Sequence, residues 1–117
     1  MWQMLGYVAL GGALGSVLRA LVGMTVAFPL GTLTVNIAGS FAIGIAWALG
    51  VAKSPALHPF VMLGLLGGFT TFSTFSLDVL RLYEGGHVAG ALGYVLASVV
   101  LSLAAVALGL FLGARAA

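Results

Sequence analysis

Nine residues from Gly67 to Phe75, GGFTTFSTF, combine two glycines, four hydroxyl side chains and three phenylalanines at spacing three. Hydroxyls donate hydrogen bonds to an anion or offer lone pairs to a cation. A phenyl ring is negative on its face and positive at its edge, so ring edges beside free hydroxyls form a weak anion-facing surface. Gly67-Gly68 followed by threonines predicts an interrupted helix, and Phe69, Phe72 and Phe75 then share one face. Irregular backbone at membrane depth is tolerated only where protein buries it or where it lines a cavity. There it leaves carbonyls for cations and N–H groups for anions. The stretch alone reads as a broken helix beside a pore or binding site, and it names no ion.

Other polar residues lie in equally apolar surroundings. Asn36, in GTLTVNIAG, either glues helices together through its amide or presents an N–H donor to an anion. Tyr94, Ser98 and Ser102 recur at i, i+4 and i+8, which places three hydroxyls on one stripe of the last helix. Arg19 lies two turns from the end of the first helix. It either anchors that helix by reaching toward the headgroups or draws anions into a vestibule. The only acids, Asp78 and Glu84, are expected at or beyond the end of the third helix, with His58 and His87 at the interface. Neither a catalytic constellation nor a carboxylate at the membrane midplane is expected, which argues against an enzyme and against a proton-driven transporter.

The elements that must position these residues follow from composition. Of 117 residues 62% are hydrophobic, and four basic and two acidic residues are the only formal charges. With a mean hydropathy of +1.26, this is the composition of a membrane protein. A spanning helix needs about 20 mostly apolar residues, and the chain divides into four such runs, residues 4–27, 30–51, 59–83 and 88–113. The punctuation agrees: Pro29-Leu30-Gly31, Lys53-Ser54-Pro55 with Pro59, and Glu84-Gly85-Gly86-His87 separate the runs. The first run lacks the positive start and small-residue cleavage pattern of a secretory signal and is expected to stay. Without cysteine there is no disulfide or thiol chemistry, and a net charge of +2 gives no reason to expect nucleic-acid binding. Pairs such as Gly11/Gly15, Ser40/Gly44, Gly64/Gly68 and Gly109/Gly113 let helices approach closely in lipid.

With four spans, Lys53 and Arg115 fall on one side of the membrane and Arg19 and Arg81 on the other. The basic-residue bias that normally fixes orientation is absent. Insertion in both directions, and an antiparallel dimer about an axis in the membrane plane, is the reading this balance supports.

Taken together, GTLTVNIAG, GLLGGFTTFSTF and the Tyr94, Ser98, Ser102 stripe closely resemble the CrcB/Fluc family of fluoride channels, over essentially the whole chain. The resemblance implies an all-α integral membrane protein whose third helix is broken near its middle. It further implies an antiparallel dual-topology homodimer with two pores in the inner (plasma) membrane, passively exporting cytoplasmic fluoride. By that analogy Asn36 donates to fluoride, and Phe72 and Phe75 form a box of ring edges. Tyr94, Ser98 and Ser102 form a polar track, and Ser73 and Thr74 neighbour the pore. Arg19 stands at the pore entrance, and the backbone carbonyls of Gly67 and Thr70 from both subunits hold a structural sodium ion. A small multidrug exporter is similar in size only, because its mechanism needs a glutamate in the first helix and none is present here. A non-transporting accessory protein is the other alternative; it has no need for a hydroxyl track, a helix break and a donor amide together.

Overall fold

The computed structural model describes residues 1–117, and every regular element is helical. Helix α1 spans Trp2–Thr25 and α2 spans Leu30–Ala48, after Pro29 at its N-cap. A 3-10 turn, Val51–Lys53, follows. The third span begins as a wide π-helical run, His58–Leu66, and ends in a single α-turn, Gly67–Phe69; these two pieces together are α3. Helix α4 spans Phe72–Glu84 and α5 spans Val88–Ala116. Four stretches, with 58–84 counted as one, are long and apolar enough to cross a membrane. Each differs from the span expected from sequence by at most three residues at either end. The turns behind α2 and α4 use Gly50 at φ 79° and Gly86 at φ 84°, left-handed positions that cost glycine nothing.

The helices pack in two main pairs, α2 along α5 and α1 along α3, with α4 resting on α5. Close approach is built from missing side chains. A Cβ on Gly15 would run into the Leu65 carbonyl of α3, and one on Gly109 into the Phe41 carbonyl of α2. Where lipid supplies no hydrophobic drive between helices, such backbone contact supplies the packing. Only 17 of 117 residues are buried, and Val35 is the one large side chain that is fully so. Apolar side chains cover the outside instead, as a bilayer solvent requires.

The break in the third span lies at Thr70 and Thr71, both in extended conformation (φ −89°, ψ 158° and φ −155°, ψ 126°). Within the expected interruption, Gly67-Gly68 followed by threonines, it is the threonines that leave the helix and not the glycines. Gly67 is helical, and a Cβ on Gly68 would lie 2.8 Å from the Gly12 carbonyl, so Gly68 serves the approach of α1. The face expected to hold three phenylalanines is cut at the same place. Phe72 and Phe75 remain neighbours on α4, with ring centroids 5.4 Å apart, while Phe69 belongs to α3 and packs beside Gly39.

Candidate ion-binding cavity

Breaking a helix orphans backbone groups on both sides of the gap. The Asn36 amide meets them: Nδ2 donates to Thr71 O at 3.0 Å, and Thr71 N–H donates to Asn36 Oδ1 at 2.8 Å. In an unbroken helix that Thr71 N–H would close on the Gly67 carbonyl. Thr74 N–H, whose helical partner would be the Thr70 carbonyl, donates instead to Thr71 Oγ1 at 3.2 Å and caps α4. On the α3 side, the Leu66 carbonyl accepts from Thr70 N–H and from Thr70 Oγ1. Arg19 Nε donates to Gly68 O at 2.9 Å. The gap is thus held open by one amide from α2, one guanidinium from α1 and two threonines of its own.

Beside it opens a cavity of about 400 Å³ between α2, the break and α5. Asn36, Thr70, Phe72, Phe75, Ser98 and Ser102 all line it, as does Gly67. Ser98 is 6% exposed, and its hydroxyl has no hydrogen-bond partner. A buried hydroxyl without a partner costs about 1–3 kcal/mol, and native structures rarely leave one idle. The Asn36 amide keeps one N–H after pairing with Thr71. Phe72 is 78% exposed, with its ring standing at the cavity wall. The N-terminus of α4, where the helix dipole is positive, opens beside the same space. The cavity is thus lined by an amide, hydroxyls and two phenyl rings, with no formally charged side chain.

A second cavity, of about 210 Å³, lies across Thr71 from the first, lined by Arg19, Thr32 and Thr74. Arg19 and Thr74 therefore adjoin the Ser98 cavity across Thr71 without lining it. Ser73 is exposed, with its hydroxyl 3.3 Å from Thr71 Oγ1, and lines neither space.

Tyr94 lies on the same stripe of α5 as Ser98, but its hydroxyl donates to Asp78 Oδ2 at 3.0 Å in a buried pair. Its ring packs on Phe75 at 5.4 Å. Asp78 itself is 3% exposed and lies within α4, where the sequence reading expected an acid at the helix end. Arg81 Nη1 lies 3.8 Å from Asp78 Oδ1, and its guanidinium covers the Phe28 ring at 4.0 Å. The spacing of Asp78 and Arg81 at i, i+3 signals that pair; nothing local signals Tyr94.

The family described as CrcB-like protein, Camphor Resistance (CrcB), matches residues 6–110. A protein of Paracoccus denitrificans named "Fluoride-specific ion channel FluC" is 58% identical over 113 residues, covering 91% of this chain and 90% of the relative. Proteins of the same name from Rhizobium meliloti and Rhodospirillum centenum are 50% and 47% identical. The first pairing covers 90% of this chain and 91% of the relative, the second 95% and 92%.

Proposed function

The chain belongs to the CrcB-like family, and we propose that it is a fluoride-selective passive channel that lets cytoplasmic fluoride leave the cell. It is not an enzyme. The observation that carries this reading is the buried, partnerless Ser98 hydroxyl in a cavity shared with Asn36, Phe72, Phe75 and Ser102. Fluoride is small, strongly hydrated and a hydrogen-bond acceptor, so its path must replace water with several donors while staying too narrow for larger anions. The free N–H of Asn36 and the hydroxyls of Ser98 and Ser102 donate; the edges of Phe72 and Phe75 supply the narrow wall. Tyr94 contributes through its ring, which holds Phe75. Arg19, with Thr74 nearby, raises the local anion concentration at the pore mouth, and exposed Ser73 stands outside it.

The functional unit is an antiparallel homodimer with two pores. The even distribution of basic residues favours insertion both ways, and Phe72, largely exposed on one chain, would gain a partner surface on a second. The Gly67 and Thr70 carbonyls suit a structural sodium ion at the centre of that dimer, because their helical donors are turned to Asn36 and to the Thr71 hydroxyl and hard cations prefer such oxygens. Bound there, the ion would supply positive charge between two anion paths. In the inner membrane no coupling residue is needed. Fluoride arrives from acidic surroundings as neutral HF, ionises in the cytoplasm and leaves under the negative-inside potential.

The test is efflux from liposomes carrying the purified protein, followed with a fluoride-selective electrode beside a chloride-loaded control. Rapid loss of fluoride with chloride retained is the expected result. Retention of both ions would leave the family fold without channel activity and favour an accessory role.

A further inference from the structure

Of the four basic side chains, three are engaged within the fold. Arg19 holds the Gly68 carbonyl, Arg81 pairs with Asp78 and covers Phe28, and Arg115 lies 5.3 Å from the Phe111 ring centroid. Lys53 contacts no carboxylate, carbonyl or ring. It ends the 3-10 turn after α2 and lines a cavity of about 480 Å³ between that turn, the start of α1 and the start of α3.

Tyr7, Ser54 and His58 line the same cavity. The Tyr7 hydroxyl and the His58 ring have no protein partner. Ser54 Oγ accepts from Leu57 N–H at 3.1 Å, which leaves its proton to donate. Lys53, Tyr7, Ser54 and His58 therefore bring donors to a cavity that no acidic side chain lines, with the Gln3 amide beside them. Both acids of the chain lie on α4, which ends at the other face of the membrane, so no carboxylate offsets the charge. Met4 and Pro59 add an apolar wall. Because α1 starts at Trp2, α2 ends at Ala48 and α3 starts at His58, the cavity lies at headgroup depth.

We propose that this cavity binds the phosphate of an anionic membrane lipid, with Lys53 as its charge partner and Tyr7, Ser54 and His58 as hydrogen-bond donors. Lys53 is the one cationic side chain lining the cavity and matches the single charge of a phosphodiester, and the apolar wall takes the glycerol end of the lipid. Basic pockets between spanning helices recognise headgroups in this way. The proposal is independent of what the Ser98 cavity conducts.

Full-length protein in nanodiscs of equal phosphatidylcholine and phosphatidylglycerol, released for native mass spectrometry, should retain phosphatidylglycerol selectively. Lys53→Gln should reduce the retained lipid about fivefold, the loss expected for one cationic contact at a membrane surface. Tyr7→Phe should reduce it further, while Lys53→Arg keeps it. Arg115→Gln removes a charge at the same end outside the cavity and should leave retention unchanged. Equal loss in Lys53→Gln and Arg115→Gln would replace the site with general surface charge and overturn the proposal. So would displacement of the lipid by inorganic phosphate down to the Lys53→Gln level, since the cavity would then take free phosphate.

Discussion

The side-chain amide of Asn36 and the backbone of Thr71 form a closed pair, with Asn36 Nδ2 donating to Thr71 O and Thr71 N–H donating to Asn36 Oδ1, at 3.0 and 2.8 Å. An amide in the membrane is usually read either as glue between helices or as a ligand. Here two of its hydrogen-bonding positions hold a broken helix in shape, and the remaining N–H is free for the cavity. Both roles draw on the one Nδ2, with one N–H given to Thr71 O and the other left for the cavity, so a change at that nitrogen removes both.

Asn36→Asp keeps an acceptor for Thr71 N–H but loses both N–H donors and brings negative charge into the cavity. Asn36→Ala removes everything. The alanine variant is expected to lose about 1–3 kcal/mol of stability. Both variants should lose fluoride flux in the liposome assay. An aspartate variant that conducts normally would assign Asn36 to structure alone.

Ser98→Ala should abolish most flux, by about tenfold or more, the rate equivalent of one hydrogen bond to a charged group. The same change removes a buried hydroxyl that has no partner, so the thermal midpoint should stay or rise. Lower stability with normal flux would mean that Ser98 is a packing residue.

Phe72→Ile is expected to cut fluoride flux sharply without weakening the fold of one chain, because the ring is 78% exposed there. The check pairs efflux with a size measurement in detergent. A conducting variant would take the ring edges out of the pathway.

Tyr94→Phe keeps the ring against Phe75 and strips the hydrogen bond from buried Asp78, which should cost about 1–3 kcal/mol. Flux per surviving channel should change little, whereas Tyr94→Ala should reduce it. A phenylalanine variant as inactive as Ser98→Ala would return the hydroxyl to the ion path.

Lys53 is the chain's only lysine, so it reports orientation directly. A membrane-impermeant amine reagent outside sealed vesicles should reach Lys53 in about half of the chains if basic residues set no preferred direction. Labelling of nearly all or nearly none would exclude dual insertion.

The four spans were legible because a bilayer asks for long apolar runs and this sequence interrupts them only with proline, glycine and its few charges. The α5 stripe was legible too, since its helix is unbroken and its i, i+4 spacing places Tyr94 and Ser98 on one buried face. The break was legible to within the stretch from Gly67 to Thr71, but not which of its residues leave the helix. Gly67-Gly68 looks breakable, yet α1 needs Gly68 for its own approach, and the helix opens where Asn36 can reach it, 35 residues away in sequence. The burial of Asp78 was hidden for the same reason, because its partner Tyr94 comes from another helix. Local pattern located the hydroxyls; tertiary hydrogen bonds decided which of them were free.

The glycine contacts between helices also set how the sequence can drift. In a water-soluble domain, large interior side chains tolerate exchange poorly and the surface tolerates it well. Here the outward leucines can be traded for isoleucine, valine or phenylalanine at little cost, because lipid adapts to any of them. Gly15 and Gly109 have no substitute, since even an alanine would push a methyl into a neighbouring carbonyl. The positions most resistant to mutation should therefore be those with no side chain at all, and a substitution scan scored by hydrophobicity would rank this protein's sites backwards.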